Sequence, residues 1–297
     1  MEIIDIQVHT GPAKEGWLDR QQAIPFLLNG DAFPIEAVLI AVDAVGISRV
    51  VVDGPDDYGQ AAARRFPSRV AWCAHFDRKA PNIEELIGGA AQLETPPLAT
   101  RISIRGPEDF AELDAGAYER HLAAAEKAGL PVFCNFFYTP GVLERAHPIP
   151  RKHPNLLFVI DHLGMPHGPT KMDVMEDPPF KQLNKLLEYA QYPNVALKFC
   201  GAPAFSRESY PFRDIWPAVH QIVKAFGPER MMWASDPTRL RPAFAYHELV
   251  DWLRYTNELS QHEKEMILGG SARRLLKWPG AKGGNATGSQ ARQAPQV

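Results

Sequence analysis

Apolar residues gather into eight short runs along the chain, at 3–9, 49–53, 70–75, 100–104, 132–136, 157–161, 195–200 and 231–236. Each is five to seven residues long and rich in Val, Ile, Leu, Phe and Cys. Strands with one wet face alternate polar and apolar; these runs are nearly continuous. That pattern predicts strands buried on both faces, which is the environment of a parallel sheet.

Longer amphipathic stretches separate the runs. Residues 35–45 end at Gly46, a helix-stop signal, and the Ala-rich 117–128 ends at Gly129 before Pro131. Stretches 180–189, 215–226 and 246–259 carry the same period, and 263–278 reads as a closing helix. Repeated β-α units imply right-handed crossovers and parallel pairing. Eight of them predict an α/β fold of the closed (β/α)8 TIM-barrel class. No GxGxxG follows a strand, which argues against an open dinucleotide-binding sheet. Irregular segments at 10–34 and 165–179 are expected to form rims or lids. The reading is one barrel domain, 1–278, followed by a Gly-, Ala- and Gln-rich tail, 279–297, with little to bury and an expectation of disorder.

Composition narrows the function classes. The chain has 297 residues, 45% hydrophobic and 23% charged, enough for a sizeable core in one barrel domain. A net charge of −3 with scattered basic residues gives no electrostatic case for nucleic acid or an anionic membrane. No apolar run reaches the roughly 20 residues of a membrane span. The opening MEIIDIQVHT lacks the basic and apolar regions of a signal peptide. Cys73, Cys134 and Cys200, an odd number in apolar runs, are read as buried reduced thiols. A cytoplasmic location is therefore expected.

In such barrels reactive groups sit where strands end. The strand ends supply Gln7 and His9, then His75, Arg101 or Ser103, Asn135, His162, Lys198 and Asp236. Gln7 and His9 are two apart, so alternation places both on the interior face. The apolar run MMWASD suits Asp236 to a general acid/base role. Gly164 allows a sharp turn after His162. Arg101, Arg105, Lys198, Arg207 and Arg239 are candidates for carboxylate recognition, with structural ion pairing as the alternative. Trp17, Phe136, Phe137 and Tyr138 can wall a pocket or pack beneath loops, and His167, Lys171 and Met172 fall in the second long loop.

Several of these segments resemble known motifs. IDIQVHT resembles an Asp-x-His-x-His opening with Gln7 in the first histidine's place. FVIDHLGMP resembles a strand-six signature, and NVALKFCGA a Val-x-x-Lys-x-Ser-Gly element. RMMWASDPTR is similar to a final Arg-x-x-x-Gly-Ser-Asp element, and ILGGSARRLLKW to a closing helix. Together, over about residues 1–278, they resemble the amidohydrolase superfamily, specifically the lactonase-like branch of its amidohydrolase-related family. The resemblance implies His9, His162 and Asp236 as the core of the site. It also implies one or two divalent cations in the metal-dependent members. Gln7 and Asn135 depart from the pattern, standing where many members carry histidines. Neutral amides hold transition metals less well than imidazole, so a binuclear site is not expected. The expectation is either no metal or one Zn2+ or Mn2+, with Gln7 Oε1, His9, His162 and Asp236 as ligands.

Three functions follow. The leading one is hydrolysis of a small carboxylate-bearing cyclic ester, with Asp236 activating water, His162 and His9 stabilising the oxyanion, and Lys198 with arginines anchoring the carboxylate. Gln7, His75, Arg101, Asn135, Tyr138, Lys198 and Arg239 are the expected substrate contacts. The second is a metal-dependent non-oxidative decarboxylase of an aromatic or unsaturated acid. The third is a binding protein on the same scaffold, against which the joint retention of His9, His162, Lys198 and Asp236 argues. A homodimer is the default assembly.

Overall fold

The computed structural model of the protein describes residues 1–11, 34–104, 106–136, 141–165, 180–237 and 244–278. The two long loops, the C-terminal tail, and Trp17, Arg105, Phe137, Tyr138, His167, Lys171, Met172 and Arg239 lie outside the described residues, apart from the ends of the loops.

All eight strands form where the apolar runs predict them. They are β1 (Ile4–Val8), β2 (Arg49–Val52), β3 (Val70–Ala74), β4 (Ala99–Ile104), β5 (Val132–Phe136), β6 (Phe158–Ile160), β7 (Val195–Cys200) and β8 (Met231–Ala234). Every adjacent pair from β1 to β8 is parallel, in sequence order. The chain is a (β/α)8 barrel.

Alternating side chains divide the core into two layers. Ile4, Val51, Cys73, Phe133, Val159 and Met232 fill the barrel interior. Val50, Trp72, Ile102, Leu197 and Trp233 face outward and meet Leu39, Leu122, Ile222 and Trp252 from the helices. This two-sided burial explains the continuous apolarity of the strands. The strongest expected helices appear as α1 (Ile35–Ala44), α5 (Glu119–Ala128), α7 (Leu183–Glu188), α8 (Trp216–Phe226) and α9 (Tyr246–Arg254). Pattern reading had not singled out α2 (Asp56–Arg65), α3 (Ile83–Ala91), α4 (Pro107–Asp114) or α6 (Val142–Ala146). The helices before Gly46 and Gly129 stop as expected, with both glycines at positive φ, 73° and 67°.

Two local features shape the site. Strand β1 slips register on β2 between Asp5 and Val8. A bulge of this kind re-aims side chains, and it lets Ile6 join the apolar interior while Gln7 reaches charged groups on β4 and β7. At the junction of β8 and β1, the Asp5 carboxylate accepts hydrogen bonds from Ser235 N at 3.0 Å, from Ser235 Oγ and from Tyr246 Oη at 3.0 Å. Gln7 N donates to the same carboxylate at 3.2 Å. Burial outweighs these four donors and raises the Asp5 pKa to about 6.

Candidate active site

The predicted strand-end residues converge. His9 Nδ1 lies 2.7 Å from the Asp53 carbonyl oxygen. A carbonyl only accepts, so Nδ1 carries the proton and Nε2 is left to face the site. That Nε2 lies 3.4 Å from Asp236 Oδ1 and 3.4 Å from Gln7 Nε2. The second Asp236 oxygen, Oδ2, is 3.9 Å from His162 Nε2. His162 and Asp236 are both buried, at 3% and 1% exposure, and both adopt positive φ just beyond their strands.

Beneath this trio lies a buried ionic network. Arg101 pairs with Asp53 and, at 2.5 Å, with Asp161. Lys198 Nζ is 2.9 Å from Asp161 and 2.8 Å from Gln7 Oε1, and it sits 3.8 Å from the centre of the Phe133 ring. Arg101 also donates to Gln7 Oε1 at 3.1 Å. Burial by itself would raise the Asp53 and Asp161 pKa values. The Arg101 guanidinium, joined at Asp161 by Lys198, overrides burial and holds both below their usual range. Isolated charges could not survive at this depth; the pairing keeps Asp53, Asp161 and Arg101 ionised.

The network changes the expected roles of three residues. Lys198 is fully buried, and its ammonium holds Asp161 and Gln7 rather than facing the barrel mouth. Arg101 is likewise committed to acidic partners within the protein. Gln7 turns its Oε1, the only atom that could ligate a cation, onto two cations of the protein. The expectation that Gln7 Oε1 completes a metal site conflicts with this geometry.

His75 lies at the edge of the same network. Its Nε2 is 2.8 Å from Asp53 and its Nδ1 3.4 Å from Asp56, and 41% of its side chain is exposed. Burial lowers its pKa, but hydrogen bonds to Asp53 and Asp56 prevail and raise it to about 9. His75 and Arg101 line a cavity of about 320 Å3 between β3 and β4, shared with Arg78, Ser103, Tyr118 and His121. Asn135, on the last turn of β5, is buried with Oδ1 unpartnered among the described residues. Arg207 is exposed, and its backbone N–H donates to Asp214 Oδ2 at 2.7 Å.

Sequence reading missed Asp53, Asp161 and Cys200. Asp53 and Asp161 each close one of the eight apolar runs, as Asp236 does. Cys200 ends β7 and is buried; one donor atom each from His162, Cys200 and Asp236 lie within 4.8 Å of one another. Together with His9 Nε2, these are donors suited to one divalent ion, so the residues present fit a mononuclear centre.

The amidohydrolase family model (Amidohydro_2) matches residues 4–278. The chain belongs to this family. No curated protein matches this amidohydrolase in sequence. Among solved structures it is similar to an amidohydrolase from Burkholderia multivorans with bound zinc, at TM-score 0.74 and 20% identity, covering 94% of this chain and 100% of that one. It is also similar to a putative 2-pyrone-4,6-dicarboxylic acid hydrolase from Pseudomonas putida, at TM-score 0.69 and 17% identity, over 93% and 98% of the two chains. A 5-carboxyvanillate decarboxylase from Novosphingobium aromaticivorans, complexed with manganese and a nitrobenzoic acid ligand, aligns at TM-score 0.66 and 13% identity, over 93% and 96%. At these identities the likeness establishes the fold. Members of the family are enzymes, both hydrolases and decarboxylases. Among the described residues no helix is long and apolar enough to cross a membrane.

Proposed function

We propose that this amidohydrolase hydrolyses a small cyclic ester bearing a carboxylate, with Asp236 as general base. The observation that carries the reading is the placement of the Asp236 carboxylate between His9 Nε2 and His162 Nε2, at 3.4 and 3.9 Å. Water held against Asp236 gives up a proton to the carboxylate as its oxygen bonds to the ester carbonyl carbon. His162 Nε2 donates to the carbonyl oxygen as negative charge develops there. The ring C–O bond then breaks, and the proton on Asp236 passes to the departing ring oxygen. The product is an open-chain hydroxy acid or its tautomer.

His9 keeps its Nδ1 proton on the Asp53 carbonyl, which fixes the ring and aims Nε2 at Asp236. The substrate carboxylate binds His75, the network cation with exposed surface, at the edge of the 320 Å3 cavity. A divalent ion held by His162 and Asp236 would take the place of the His162 donor, polarising the ester carbonyl and lowering the pKa of bound water.

The likeness to the Pseudomonas putida protein supports a carboxylated lactone as the substrate class. Likeness to the manganese-bound decarboxylase, together with the metal-suited donor set, favours decarboxylation as a second reading. The deciding experiment supplies purified protein with a panel of carboxylated lactones and, separately, of hydroxylated aromatic acids. Ring opening with consumption of base supports the hydrolase. Intact lactones with release of CO2 from the acids would replace it with the decarboxylase.

A further inference from the structure

Cys200 is the last residue of β7 and points into the barrel interior, where it is fully buried. It pairs with Ala234 in the β7–β8 register, two residues before Asp236. This places a thiol beside the two groups at the centre of the proposed reaction. Donor atoms of His162, Cys200 and Asp236 all lie within 4.8 Å of one another. In a tetrahedral zinc site, with ligand bonds of about 2.0–2.3 Å, neighbouring donors stand roughly 3–4 Å apart. Small side-chain rotations close the difference.

We propose that Cys200 is a metal ligand in this chain, and that it makes the site select zinc over manganese. The inference rests on the reading of His162 and Asp236 as the reaction centre. Three observations support it. First, Gln7 Oε1 is held by Lys198 and Arg101 and so is not turned toward the site as an oxygen donor. Second, the charges fit. Below the site Arg101 and Lys198 are matched by Asp53 and Asp161. A thiolate and the Asp236 carboxylate then supply the two negative charges that neutralise a divalent ion. Third, in the element that resembles Val-x-x-Lys-x-Ser-Gly, Cys200 stands in the serine's place. A serine hydroxyl is a hard, neutral, weak ligand, whereas thiolate is soft and favours zinc over manganese.

Without metal, burial keeps the thiol protonated, its pKa pushed well up. Metal entry replaces that proton: the sulfur–hydrogen bond gives way to a sulfur–metal bond and one proton leaves to solvent. His9 Nε2, 3.4 Å from Asp236 Oδ1, remains beside the ion as a further nitrogen donor or as a partner for bound water.

The test loads the intact protein with Co2+ and records its absorption spectrum. Thiolate ligation produces a sulfur-to-cobalt charge-transfer band in the near ultraviolet. The expected result is one equivalent of cobalt with that band, which Cys200→Ser removes. Zinc affinity should fall in the variant by more than the roughly 10–100-fold that removing a ligand's hydrogen-bond partner costs, while manganese affinity changes little. The wild-type spectrum needs no variant, and Cys200→Ala with a melting curve guards against a folding defect. One equivalent of cobalt without the band, or a band unchanged in Cys200→Ser, overturns the thiolate ligand and leaves the hydrolase reading intact. Failure to bind either ion by equilibrium dialysis, with full lactone turnover, also overturns it and favours a metal-free hydrolase. Absence of ring opening with the band present overturns the hydrolase reading alone.

Discussion

His162 and Asp236 face each other, Nε2 to Oδ2 at 3.9 Å, from backbones that both lie in the left-handed region, at φ 52° and 46°. Leu163, between His162 and Gly164, is left-handed too, at φ 56°. Such conformations cost about 1–3 kcal/mol each for residues other than glycine and persist where the surroundings impose them. Here they turn the chain back sharply after β6 and β8, so that both side chains stay over the barrel mouth.

Asp236→Asn tests the base directly, because asparagine tolerates left-handed backbone as readily as aspartate. The variant should keep its melting temperature within a few degrees. Its kcat on a substrate lactone should fall by about 10²–10⁴-fold, with KM changed little. Steady-state kinetics check this; a kcat within threefold of wild type would remove Asp236 from the proton-transfer role.

Gly54 bears on the site without touching it. A Cβ there would lie 2.4 Å from the Thr10 carbonyl oxygen, too close for the backbone to stay in place. Thr10 follows His9, whose ring is anchored on the carbonyl of Asp53, the residue before Gly54. Gly54→Ala should therefore shift His9 relative to Asp236. Misplacement of about 1 Å costs up to about 100-fold in rate, so kcat should drop tenfold or more while far-ultraviolet circular dichroism stays unchanged.

Asp161 accepts from both Arg101 and Lys198, each of them buried. Asp161→Asn keeps the shape and removes the charge, leaving Arg101 with Asp53 and Lys198 on the neutral Gln7 Oε1. Breaking a buried ion pair by removing one partner costs about 3–5 kcal/mol. Urea denaturation should show that loss, and a variant within 1 kcal/mol of wild type would mean that the network contributes little to folding.

His75 predicts a pH dependence of stability. Its pKa rises from 6.5 in the unfolded chain to about 9 in the folded protein. A raised folded value binds the proton more tightly, so the stabilisation is complete below pH 6.5 and is lost as pH rises through about 9. Exposure of the ring to solvent screens the interaction and keeps the change modest. Melting temperatures measured from pH 6 to 10 should decline in the wild type, and the decline should be shallower in His75→Gln.

Much of this was legible in the sequence. Two-faced burial wrote the eight strands as continuous apolar runs, and the ends of β5 and β7 fall at the residues predicted. His9, His162 and Asp236 were readable because strand ends in a barrel point at one mouth. The partners of Lys198 and Arg101 were not. Asp53 and Asp161 precede a glycine and a histidine and look locally like turn residues; only barrel closure brings them to the two cations. Gln7 shows the same limit. Period-two alternation places it inward with His9, but the register slip on β2 and the pull of Lys198 from β7 decide where its oxygen points. The helix expected over 246–259 ends at Arg254 instead, where the chain turns at Tyr255 and the following polar residues.

The Asp5 junction gives this barrel an unequal circumference. Among the described residues the peptide ladder runs from β1 round to β8, and across the remaining gap the Asp5 carboxylate meets Ser235 and Tyr246. His9 and Asp236 rise from the two banks of that gap. The pair proposed above to carry the reaction thus stands on two strands joined through a carboxylate rather than through a ladder of amides.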